Sequence, residues 1–261
     1  MATIDNDSGR GAFNPFPRGR MAAAGALRDG ATGLLAGGGG AYFSRHRRRS
    51  PEMDRRIAIH EAGHVVAARA LGQPLGGSTI EPGENYSGAT WGPDSDPSRF
   101  CTSEEIIETC VALATLMPAF GEPRDDVAVE LVATHARVVE LLAGTEAERQ
   151  LFTAAPPLAA PHDIAEASAH AALICCSHAA GEAFLAYAKI EASELIRLHR
   201  HLVQAVAGAL IEHLTLNTGQ IDAVIADAVA REALRVEKER RAALALAAAV
   251  RWPVASPQCG R

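Results

Sequence analysis

Five consecutive residues, His60-Glu61-Ala62-Gly63-His64, have the types and spacing of a catalytic metal centre. Imidazoles four positions apart on a helix share one face and can turn their nitrogen lone pairs toward a single tetrahedral cation. Glu61, one position on, cannot comfortably ligate the same ion and is placed instead to hold a water and take its proton. Zinc lowers the pKa of such a water to about 7, so a neighbouring carboxylate can serve as general base while the water attacks a carbonyl. A catalytic zinc site needs a third protein ligand and one open position. By chemistry alone His135, His162, Asp163, Glu166, His170 and His178 are all candidates, and spacing does not choose among them.

These side chains must be positioned, and the surrounding pattern is mostly helical. Ser50-Pro51 is a good N-cap and first-turn pair, and apolar residues run from Ile57 to Leu71 before Gly72 and Pro74 stop the helix. The metal-binding element therefore lies inside a helix. Two extended segments follow, Ser78 to Glu81 and Gly88 to Trp91, separated by the turn-rich Pro82-Gly83-Glu84-Asn85, and a small hairpin is expected. Thr102 with Glu105 reads as a capping box opening a helix that ends by Pro118. Asp125 or Asp126 starts the next, which runs to Gly144, and a further helix covers Glu146 to Phe152. From Asp163 a helical pattern continues to about Glu212, with breaks expected near Gly181 or Glu191. Asn217-Thr218-Gly219 reads as a turn, and Gln220 to Val250 as an Ala-rich helix with Arg235 to Arg241 as its solvated part.

At 261 residues and 48% hydrophobic the chain can bury one sizeable core. Residues 1–50, rich in Gly and Arg and closing on Arg45-His46-Arg47-Arg48-Arg49, read as a disordered arm, and residues 251–261 as a frayed tail. The single domain between them spans 51–250. A net charge of −6 gives no field that calls for nucleic acid or an anionic membrane. Cys101, Cys110, Cys175, Cys176 and Cys259 have neither disulfide-framework nor zinc-knuckle spacing, so reduced thiols and a cytoplasmic location are expected. The stretch Met21 to Phe43 is interrupted by Arg28, Asp29 and four glycines, and is expected to be neither signal peptide nor membrane span.

From Arg55 onward the chain resembles the peptidase domain of FtsH-type proteases, the membrane-bound AAA metalloproteases. Ile59 to Ala67 is close to that family's zinc helix, and Ile80-Glu81-Pro82-Gly83 with Ser87-Gly88-Ala89-Thr90 looks like the strand that follows it. Leu141-Leu142-Ala143-Gly144-Thr145-Glu146-Ala147-Glu148 is similar to the family's Gly- and Glu-containing helix. Ala160-Pro161-His162-Asp163-Ile164-Ala165-Glu166-Ala167 is similar to the segment whose Asp completes the metal site, and Leu214-Thr215-Leu216 with Gly219-Gln220-Ile221 looks like its C-terminal helix. The matches span residues 55–230. The resemblance implies zinc held by His60, His64 and Asp163, with Glu61 as catalytic base and Glu148 orienting an imidazole. Without it, Asp163 followed by Glu166 would read as an N-cap pair.

The sequence departs from the family pattern in three ways. His162 stands where the family usually has Asn, extra residues fall around Met117 to Val129, and neither lysine, Lys189 or Lys238, follows a Gly as a nucleotide-binding P-loop requires. The expectation is a mainly α, zincin-like metalloendopeptidase with a small β-hairpin, acting on unfolded or short polypeptides or served by a separate AAA ATPase. The alternatives are a non-cleaving zinc-binding regulatory module that keeps the fold, and a zinc hydrolase for a small amide.

Overall fold

Ser50 caps the first helix as its position requires. In a computed structural model that describes residues 49–83, 86–93, 103–119 and 121–251, its hydroxyl accepts from the Met53 amide at 3.2 Å. Pro51 opens α1 (Pro51–Ala70), and Glu52 and Asp54 place negative charge in its first turn, where the helix dipole favours it. Every residue from Ile57 to Ala68 is buried. A helix buried on all sides needs no solvated polar face, and over that stretch the polar residues are His60, Glu61 and His64, all buried. It is the central element, packed chiefly against α3 (Ala128–Leu151) and α6 (Arg200–His213).

The remaining helices assemble around that core. A 3-10 turn at Asp125–Val127 leads into α3, which packs on α4 (Pro161–Ile174) and α5 (His178–Leu198), while α2 (Ser103–Ala114) lies against α4. The fold is mainly α, with seven helices among the described residues and one small sheet. In the sheet β1 (Gly77–Thr79) is central and antiparallel to both β2 (Ala89–Trp91) and β3 (Thr215–Asn217). Ser78 sits opposite Thr90 on one side and Leu216 on the other.

The expected hairpin is present, and several elements differ from the sequence reading. Helix α3 does not end at Gly144 but runs through it to Leu151. A mid-helix glycine costs about 1 kcal/mol, which the packing of this 24-residue helix on α1 outweighs. The breaks expected near Gly181 or Glu191 fall instead at Cys175 to Ser177 and at His199. Ser177 caps α5 by accepting from the Ala180 amide, and Gly181 sits harmlessly in its first turn. Third, Asn217 and Gln220 exchange side-chain-to-amide bonds of 3.0 and 2.9 Å, so the expected turn is the capped start of α7 (Thr218–Arg251). Thr215–Asn217, which the resemblance and the turn signal assign to the C-terminal helix and the turn before it, forms strand β3 instead, because these residues pair with β1.

Among the residues of α7 up to Ala247, only Ile221, Ile225 and Ala228 are buried. From Arg231 to Ala247 the helix is mostly exposed and laced by pairs such as Arg235 with Glu232 and Glu239, as its charge pattern suggests. No helix among the described residues is long and apolar enough to cross a membrane. The arm over residues 1–48, Thr102 of the expected capping box and the tail beyond Arg251 lie outside the described residues.

Candidate metal centre

Helix α1 points His60 and His64 at the same place, with ring centroids 4.8 Å apart and planes at 73°. Each ring is held through Nδ1. His60 Nδ1 lies 2.9 Å from Oε1 of Glu148, and His64 Nδ1 lies 2.8 Å from the backbone carbonyl of Glu140, both on α3. A carbonyl only accepts, so His64 Nδ1 carries the hydrogen and Nε2 keeps its lone pair in the neutral ring. The same logic applies to His60 against an ionised Glu148. In the neutral rings both Nε2 atoms therefore keep inward-facing lone pairs, an arrangement typical of imidazoles prepared for a metal.

Asp163 meets them from α4. Its Oδ2 is 3.1 Å from His60 Nε2 and 3.5 Å from His64 Nε2, and the three donor groups lie within 4.8 Å of one another. The capping alternative does not hold, because Ala160 is the N-cap of α4 and Asp163 is its third helical residue. Gly144 lines the same space: a Cβ there would stand 2.5 Å from His64 Nε2 and 2.8 Å from His60 Nε2. The donors fit a small cation in chemistry, convergence and room.

The charges agree with that fit. Burial alone would lower His60, but its bonds to Asp163 and Glu148 outweigh burial and push it up to about 10. Burial would raise Asp163, yet the two imidazoles hold it far below the usual carboxylate range. Without a cation a proton must sit between these groups, and a divalent metal can take its place. Glu148 is fully buried rather than a surface carboxylate. It also accepts from Arg56 Nη2 at 3.0 Å and from the Leu158 amide at 3.0 Å.

Glu61 lies on the side of the site facing the sheet. Thr90 Oγ1 in β2 donates to its Oε2 at 2.9 Å, and Ser78 Oγ in β1 is 3.0 Å from the Thr90 hydroxyl. Burial raises the Glu61 carboxyl above its ordinary value, opposed by His64, His60 and the Thr90 bond.

The other candidates lie elsewhere. His135 pairs with Glu191, and exposed His178 lies 3.3 Å from Glu182. His162 and His170 flank Glu166 at 3.8 and 3.6 Å, outside the three-donor group. Sequence reasoning missed Thr90, the Glu140 carbonyl, Arg56 and the role of Gly144. Only Gly144 left a signal, as a glycine inside a helical pattern. No family model matches the chain, and no curated protein matches it.

Proposed function

We propose that this chain is a zinc-dependent metallopeptidase of the FtsH type, with His60, His64 and Asp163 as ligands and Glu61 as general base. The observation that carries this reading is the convergence of two Nε2 atoms and one carboxylate oxygen within 4.8 Å, with both Nδ1 atoms already engaged. When bound, zinc supplies a Lewis acid and an acidified water.

The chain's own residues do the rest. Glu148 and the Glu140 carbonyl fix ring orientation and tautomer. Thr90 anchors Oε2 of Glu61 and leaves the other oxygen to receive a proton, while burial lifts the carboxyl toward the range in which a general base works at neutral pH. On the side away from β1, β2 pairs with no strand among the described residues. An extended polypeptide added there would lie alongside Thr90 and so near Glu61, which favours unfolded or short polypeptides as substrates.

The test is zinc content together with chelator-sensitive cleavage of an unfolded protein, with and without candidate ATPases. Glu61→Gln should keep its zinc and lose cleavage by about 10²–10⁴-fold. Asp163→Ala should lose cleavage and keep only weak zinc binding through the two imidazoles. Stoichiometric zinc with equal, negligible cleavage by wild type and Glu61→Gln would sink the peptidase reading and leave a zinc-binding module that does not cut.

A further inference from the structure

Behind the three donors lies a second buried charge group that the proposed chemistry does not use. Glu140, whose carbonyl holds His64, buries its carboxylate against Arg137 Nη1 at 2.7 Å. The same guanidinium reaches from α3 to α4, where Nε and Nη2 donate to Glu166 Oε1 at 3.1 and 2.8 Å. Glu166 is one helical turn beyond Asp163, so the two carboxylates project from neighbouring positions of one face. His162 and His170 flank Glu166 without displacing the arginine.

The first turn of α4 has no side-chain cap, because the N-cap is Ala160. Among the described residues, Arg137 with Glu166 is the one ion pair recorded between α3 and α4, three residues from Asp163. We infer that Arg137 is a positioning residue for the metal centre: by joining Glu140 on α3 to Glu166 on α4, it sets the distance from the Asp163 carboxylate to His60 and His64. One cation thereby ties the residue that orients His64 to the helix that carries the third ligand. Arg56 does the corresponding job behind His60, holding Glu148. Groups that orient metal ligands typically contribute 10–100-fold in metal affinity.

This inference rests on the metal-centre reading, and a double-mutant cycle separates the two. Zinc affinity is measured by competition with a chromogenic chelator, well below every melting temperature, in wild type, Arg137→Met, Asp163→Asn and the double variant. The expected result is a loss of about 10–100-fold for Arg137→Met in the wild-type background and under about threefold once Asp163 is already changed. Ile221→Ala, a core change in α7, should lower the melting temperature and leave zinc affinity alone. If Arg137→Met does not fold, Glu166→Gln carries the same cycle from the α4 end of the fork with its volume kept. Equal losses in both Asp163 backgrounds, or no loss in wild type, would overturn the positioning role and spare the metal centre. A wild-type protein that binds no zinc would overturn both.

Discussion

A methyl group on Gly144 would occupy the space in which the two imidazoles converge. Gly144→Ala should cut zinc affinity at least about 100-fold, measured by chelator competition, although alanine is the better helix former by about 1 kcal/mol. Thr90→Val removes the only side-chain donor described for the Glu61 carboxylate, and its methyl keeps the volume. Since that bond lowers the Glu61 value, its loss should raise it, and the acid limb of the pH-rate profile for peptide cleavage should move to higher pH. An unmoved limb would show that the hydroxyl only packs. Legibility at this scale follows distance along the chain. His60, Glu61 and His64 share one turn and a fixed helical geometry, so they could be read directly. Asp163 is about a hundred residues away and needed a resemblance to be chosen among six candidates. The Glu140 carbonyl could not be read at all, because every residue has one.

Helices α1 and α3 meet at small residues, and that contact sets where the histidines stand relative to Glu140 and Glu148. A Cβ on Gly63 would come within 2.7 Å of the Ala143 carbonyl oxygen and 2.9 Å of Gly144 Cα, both backbone atoms of α3. Backbone cannot yield as a flexible side chain can. Gly63→Ala should therefore push the helices apart and destabilise the fold by about 1–3 kcal/mol, read as a lowered denaturation midpoint with the slope unchanged. The elements themselves were legible where local chemistry decides: Ser50-Pro51 predicted the start of α1 and the turn after Pro82 predicted the hairpin. They were misread where packing decides. Gly144 looked like a terminator, yet α3 continues because the missing side chain is what lets imidazoles and helix approach. The breaks at Cys175 to Ser177 and His199 lack a Gly or Pro, and Gly181 drew the eye to the wrong place.

Across the whole molecule the buried charges fix the pH range in which the metal-free protein is stable. The Glu166 carboxyl is pushed up by burial but brought down to about 2 by His170 and Arg137. Its contribution is therefore complete above its unfolded value near 4.5 and is lost as pH falls through about 2, on the order of 3 kcal/mol in all. His60 acts in the opposite sense. Its value is raised to about 10 in the folded chain, so its contribution is complete below about 6.5 and fades as pH rises toward 10. Denaturation of chelator-treated protein should thus show a stability maximum between about pH 4.5 and 6.5. Zinc should remove the alkaline decline, because the metal then does the work of the His60 proton. A chelated protein as stable at pH 9 as at pH 6 would show that His60 is not held charged. The sheet adds a constraint in time rather than in energy. Its central strand β1 pairs on one side with nearby β2, but on the other with β3, more than 130 residues later in the chain. During synthesis the histidines emerge early, whereas Leu216 can close over Ser78 only after all but the last helix has been made. The sheet beside Thr90 and Glu61 thus gains its third strand only after His60, His64 and Asp163 have all been made.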